Sequence, residues 1–314
     1  PLNVSRSALQ NDGFVQKISE YISKKVADKL TGMCKTDRES YEKYWDDISP
    51  FIKFGCIKDS KFAEKLHDYI LFKDIDNKYL TLKDCIEQNK KADTEEKAED
   101  TEKTEDTEKK DENKEPEKTT IFYVTDAVQQ SQYINMFREA GKNAVILSHN
   151  IDTTFISHLE QKDQTIQFKR IDADVTEELK GEGAADENTA KTLTELFRKN
   201  LNMEKLEVKA ENLKNESVAA MMTLSEESRR MQDMMKMYNM YGMDPGMFGG
   251  QETLVLNVSH PLVKYLAENQ ESEHAAVICQ QLYDLAMLSH KQLSPDEMTK
   301  FVQRSNEILM LLTK

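Results

Sequence analysis

The chain has 314 residues, 38% of them hydrophobic and 32% charged, and carries a formal net charge of −14. That length and apolar content support two or three separate cores. The acidic balance argues against general binding to nucleic-acid backbone or to an anionic membrane.

In chain order, Ser5 is placed to cap a short helix running to about Asn11. A longer helix is predicted from Phe14 to Leu30, where Val15, Ile18, Ile22, Val26 and Leu30 fall at helical spacing. In TDRESYEKYWDDISPFIKFG, Tyr41, Tyr44, Trp45 and Ile48 form one side of a helix, and Pro50 marks its end or a kink. Phe62, Leu66, Tyr69 and Ile70 predict another helix. YLTLKDCIEQ (79–88) reads as a short extended piece and a helical turn. Residues 1–90 are thus mostly helical. Over 91–118 the composition changes: 20 of 28 residues are charged, 13 acidic and seven Lys, and none is large and apolar. Such a segment buries too little to offset its ordering entropy, so it reads as an acidic spacer inserted between folded parts.

IFYVT is a predicted buried strand. A helix over 128–140 carries Tyr133, Ile134 and Phe137, Gly141 ends it, and AVIL is a second strand. Strand, helix, strand at this spacing predicts a parallel crossover and a small α/β domain over 119–175. FISHLE starts a further helix and IQFKRID a strand. TEELKGEGAADENT (176–189) reads as a hinge, and 190–314 as a C-terminal domain. In that domain TLTELFRKNL is a helix, KLEVKAEN an exposed alternating strand, and AAMMTLS a short apolar piece. LVLNVSHPLVKYLAEN gives a strand and a helix opened by Pro261. A helix over 273–290 puts Ala275, Ile278, Leu282 and Leu285 on one face. In SPDEM, Ser294 and Glu297 form a capping box with Pro295 in the first turn. The last helix carries Met298, Phe301, Ser305, Ile308 and Leu312 as a stripe, with Val302 and Leu309 alongside. The fold class is therefore a multidomain α+β and α/β chain: a helical segment, a small α/β crossover domain, and a C-terminal α+β domain ending in a helical seam.

From the residues alone, the last two helices either pack into their own domain or join a second copy in a four-helix seam. A second feature is methionine: nine of the 15 lie between 221 and 247. Met231, Met234, Met235 and Tyr238 share a helical spacing, and Met237 widens the face. This is either a Met-rich core stripe or a flexible surface able to meet partners of many shapes. Cys34, Cys56, Cys85 and Cys279 form no CxxC and have no histidines clustered with them, which reads as reduced thiols in a cytoplasmic protein. No metal site, catalytic triad or phosphate-binding glycine loop is found, and no apolar run is long enough to span a membrane.

PLNVSRSALQ, the IFYVTD strand, VILSHNID and LNVSHPLVKYL together resemble the heat-shock protein 90 chaperone family in its bacterial branch, over nearly the whole chain. The resemblance implies the later part of the middle domain and the C-terminal dimerisation domain, with the ATP-binding domain outside this sequence. By motif match, Arg6 is the arginine that reaches the γ-phosphate of ATP with Mg²⁺ held elsewhere in the full-length protein, and Gln10 helps place the same loop. Tight ATP binding by this chain alone is not expected. Met234, Met237 and Tyr238 match apolar client-contacting positions, and Met231 and Met235 extend that face. Where bacterial relatives often carry a Trp, this chain has Thr154 with Phe155 beside it, so Phe155 is the candidate for that client contact. The resemblance further implies a homodimer through Ile278, Leu282, Leu285, Phe301, Ile308 and Leu312. The implied partners are unfolded or partly folded clients and cooperating bacterial chaperones, with no nucleic acid and no membrane. Two rivals compete. One is a non-catalytic protein-binding scaffold. The other is a metabolic α/β enzyme, for which TDAVQQ supplies neither glycines nor a catalytic pair.

Overall fold

The computed structural model describes residues 13–89, 118–175, 179–181, 183, 185–226, 228, 230, 252–311 and 313. The chain divides into two units, Pro1–Ile121 with Val145–Phe168, and Phe122–Ala144 with Lys169–Lys314.

The first unit opens with three helices: α1 (Gly13–Thr36), α2 (Arg38–Lys58) and α3 (Ser60–Leu66). The breaks between them are short and capped by aspartates. Asp37 accepts from the Ser40 amide at the start of α2, and Asp59 accepts from the Lys61 and Phe62 amides at the start of α3. The core side of α2 is Tyr41, Trp45, Ile52 and Cys56. Tyr44, expected on that side, is 49% exposed. The Tyr41 and Trp45 rings sit 5.4 Å apart, and the Tyr41 hydroxyl donates to the Tyr69 carbonyl at 2.9 Å. Pro50 does not end α2: the helix and its buried stripe continue beyond it through Ile52 and Cys56.

After a single 3-10 turn (His67–Tyr69), β1 (Leu71–Asp74) and β2 (Tyr79–Thr81) form an antiparallel hairpin. Its turn is shaped by Asn77 in the left-handed region and by the Asp74 carboxylate, which accepts from the Asp76 and Lys78 amides. Residues 82–89 form the helix α4. The sheet then gains β3 (Thr119–Val124), β4 (Val145–Ile146) and β5 (Ile166–Arg170), in the order β2-β1-β4-β3-β5. β1 and β4 run antiparallel. Helix α6 (Ile151–Lys162) also belongs to this unit, whereas α5 (Ser131–Glu139), between β3 and β4 in sequence, belongs to the second.

In the second unit, α5 (Ser131–Glu139) is followed by Gly141 at φ +67°, as the sequence predicts for the residue that ends it. Helix α7 (Glu187–Leu201) ends on left-handed Asn202. The three-stranded sheet comprises β6 (Glu207–Glu211), β7 (Ala220–Thr223) and β8 (Thr253–Asn257), in the order β6-β8-β7. β6 pairs parallel and β7 antiparallel with the central β8; Thr223 lies opposite Thr253. The helices α8 (Pro261–Glu268), α9 (Ala275–His290) and α10 (Pro295–Leu311) complete it. One core joins Leu193 and Phe197 of α7, Met222 of β7, Leu254 and Leu256 of β8, and Cys279 and Leu282 of α9. Every residue of β7 and β8 is buried, so the short apolar AAMMTLS is a core strand.

Candidate functional site

The helical pair at the C-terminal end, where the sequence places a seam, is formed by α9 and α10. Helix α9 has two apolar sides. Ala275, Cys279, Leu282, Ala286 and Met287 pack into the unit's own core. Leu285 projects away from that core and is 46% exposed. Leu282 is 3% exposed and therefore belongs to the fold of its own chain, which corrects its placement at the seam. Ile278 is partly buried against the same core.

Helix α10 opens with the predicted capping box. The Ser294 amide and hydroxyl both donate to one Glu297 carboxylate oxygen at 2.8 and 2.6 Å, and the Glu297 amide points back to the Ser294 hydroxyl at 3.4 Å. Those bonds hold the Glu297 carboxyl below the usual carboxylate range. No residue of α10 is buried. Met298, Val302, Leu309, Met310 and Leu311 are all exposed, and Phe301 and Ile308 are only partly covered. Leu312, the last member of the expected stripe, lies outside the described residues.

Polar contacts set the pose of α10 on α9. Arg304 pairs with Asp284, its Nε donates to Gln281 at 2.9 Å, and Gln281 donates to the Ser305 hydroxyl at 3.1 Å. The Arg304 and Asp284 side chains are 13% and 9% exposed, so the pair is largely withdrawn from water. The arrangement fixes an apolar helix face in one orientation while leaving it uncovered by the described residues.

A second constellation surrounds the chain just before the Met-rich segment. One Glu226 carboxylate oxygen accepts from the Tyr123 hydroxyl and from Arg230 Nε, both at 2.8 Å, and the other accepts from the Arg170 amide at 2.9 Å. Arg170 in turn grips buried Asp172 through two bonds of 2.6 Å. His290, at the end of α9, has its ring nitrogens 3.4 Å from Asp172 and 3.6 Å from Glu252. Lys291 reaches Glu252 at 2.8 and 3.0 Å. The neighbouring His290 ring, helped by Lys291 and opposed by burial, brings the Glu252 carboxyl down to about 2. Met231, Met234, Met235, Met237 and Tyr238 lie outside the described residues, as do Arg6 and Gln10.

Phe155 is fully buried in α6, so it presents no surface to a client, and the sequence expectation for it is corrected. Its ring packs 5.9 Å from the Lys53 ammonium, which meets Asp152 at 2.5 Å with both side chains at most 5% exposed. The second Asp152 oxygen accepts from the His149 amide at 2.9 Å. Sequence reasoning missed this buried pair: Lys53 and Asp152 are 99 residues apart, and although Asp152 ends the VILSHNID stretch, no local signal pairs it with Lys53.

Among the described residues no group of His, Cys, Asp and Glu is placed to hold a metal ion, and no helix is long and apolar enough to cross a membrane. The thiols of Cys56, Cys85 and Cys279 are each pushed up to about 12 by burial, which makes them inert packing groups.

Comparison with known proteins gives a consistent answer. The chain is 34% identical over 290 residues to a chaperone protein htpG of Bacteroides fragilis, covering 88% of this chain and 39% of that protein. It is 32% identical over 283 residues to the HtpG of Bacteroides thetaiotaomicron, covering 87% and 38%. It is 31% identical over 290 residues to that of Porphyromonas gingivalis, also covering 87% and 38%. The chain thus spans about two fifths of the length of these curated relatives. Residues 1–98 and 111–314 match the family model described as Hsp90 protein. With relatives above 30% identity aligned over most of its length and a family match on both sides of the acidic segment, the chain belongs to the Hsp90 family.

Proposed function

We propose that the chain is the dimerising and client-contacting portion of an ATP-driven chaperone of the Hsp90 type. The observation that carries this reading is the apolar face of α10, where no residue is buried, although Met298, Val302 and Leu309 lie along it beside Phe301 and Ile308. Such a face at the end of a well-packed unit is satisfied by a second copy of itself, with Leu285 of α9 contributing from the neighbouring helix. Met231, Met234, Met235, Met237 and Tyr238 supply a pliable apolar surface for partly folded clients. Arg6, with Gln10, completes a phosphate site carried by another part of the longer protein. A guanidinium there offsets charge on a transferring phosphoryl group.

Mass measurement of the purified chain at tens of micromolar tests the core of the reading. A dimer is expected, and a monomer at that concentration overturns it. Joined to the missing portion, an Arg6→Ala variant is expected to lose most ATP hydrolysis while retaining ATP binding. An unchanged rate removes Arg6 from the reaction and favours a scaffold.

A further inference from the structure

Helix α2 carries an aromatic strip on the side opposite its core. Tyr44, Phe51 and Phe54 stand at i, i+7 and i+10, on one face, and are 49%, 78% and 52% exposed. The two rings at the ends of this strip are flanked by ammonium groups. Lys43 lies over Tyr44 at 5.6 Å and Lys58 over Phe54 at 5.7 Å. Neither lysine makes an ion pair among the described residues. Asp47, on the same face, is the acid between them. The strip exposes roughly 300 Å² of aromatic surface, comparable to patches that mark contact sites. In a chain of net charge −14, it is an apolar stripe with an unpaired cation at each end and an anion near its middle.

We propose that this face of α2 docks an extended segment of a second polypeptide with acidic residues at both ends of an apolar stretch. Charge complementarity selects that occupant: carboxylates meet Lys43 and Lys58, and uncharged side chains cover Phe51 and Phe54 past Asp47. The distance from Tyr44 to Lys58 is about 21 Å along a helix, which an extended segment of about seven residues spans. The chain's own acidic segment does not fit, because residues 91–118 include no large apolar side chain to cover the rings. The proposal takes the polypeptide nature of the partner from the chaperone reading, and adds a surface separate from the Met-rich one.

The test is fluorescence anisotropy on the full chain, with a labelled nine-residue probe carrying Asp at both ends and Leu and Phe between. Binding is expected, weakened at least tenfold by F51S/F54S and about fivefold by K43E/K58E, and weakened again when the probe's Asp residues become Asn. All four positions are exposed, so both variants are expected to melt as the wild type does. If F51S/F54S melts earlier, the K43E/K58E pair decides. Undiminished binding by the deciding variant overturns the proposal, as does equal binding of the Asn probe. So does loss of self-association in F51S/F54S, which makes the occupant a second copy, or displacement of the probe by anionic lipid vesicles, which makes it a membrane. A chain with Met234, Met237 and Tyr238 changed to Ser is expected to bind this probe normally, so failure here is distinguishable from failure of the Met-rich surface.

Discussion

Arg304 on the last helix pairs with Asp284 on the helix before it, in a site nearly closed to water. Two helices joined by a four-residue connection hold one relative pose only if something resists their rolling, and this contact is a polar bolt. Arg304→Ala leaves Asp284 largely buried without its cation. It is expected to destabilise the C-terminal unit by about 2 kcal/mol and to weaken self-association. Urea unfolding with a cycle through Asp284→Ala measures it, and additive single effects refute a direct coupling.

The exposed stripe of α10 makes a second expectation. Val302→Glu with Leu309→Glu places two carboxylates on a face that carries no core role, so the fold is expected to survive while the dimer dissociates. Circular dichroism and solution mass separate the two effects. A dimer of unchanged affinity assigns self-association to another surface.

Lys53 and Asp152 should respond unequally to single and paired changes. Lys53→Met alone strands a carboxylate that is 2% exposed and is expected to cost about 3 kcal/mol, and Asp152→Leu alone a similar amount. The double variant replaces the pair by apolar volume and is expected to recover most of that loss in chemical denaturation. A double variant as unstable as the sum shows that the site depends on the charges themselves.

Glu252 carries an acid-side dependence. Its carboxyl falls to about 2 in the folded chain, from an ordinary value near 4.5. A depressed carboxylate contributes stability that is fully present above the unfolded value and is lost as pH falls from about 4.5 through about 2. After allowance for solvent screening, the contribution is about 1 kcal/mol. Glu252→Gln is expected to flatten the melting temperature over that window and to lower it near neutrality; an unchanged acid profile refutes the coupling to His290 and Lys291.

Replacing Met234, Met237 and Tyr238 by Ser is expected to reduce suppression of client aggregation severalfold while the chain remains dimeric. Light scattering of a denatured test protein, read beside solution mass, checks both parts. Equal suppression removes the role from these positions.

How much of this was legible in the sequence depended on whether the signal was local. The Ser294–Glu297 box, the strand at IFYVT and the stop at Gly141 rest on interactions within a few residues, and each stands where it was read. Periodicity located α1 but not what it packs against: Ile18, Ile22 and Val26 share its apolar face yet are exposed among the described residues. Spacing reports a helix's two-sidedness, and burial is decided by neighbours far along the chain. The β1 strand was missed because LFKD is too short for its apolar residues to be told from the end of a helix. Leu282 and Phe155 failed for one reason: an apolar residue on a helix face looks the same whether a core or a partner covers it.

The pairing of Thr223 with Thr253 has a consequence for how such a protein diversifies. The chain leaves one strand after Thr223 and re-enters its hydrogen-bonded neighbour at Thr253, and just inside these two points Glu226 is held by Tyr123 and Arg170 and Glu252 by Lys291. In general, doubling the length of a flexible segment closed between two fixed points costs only about 0.6 kcal/mol. Two adjacent ends anchored in this way put little thermodynamic constraint on the span between them, so the surrounding architecture can be inherited intact while that span varies.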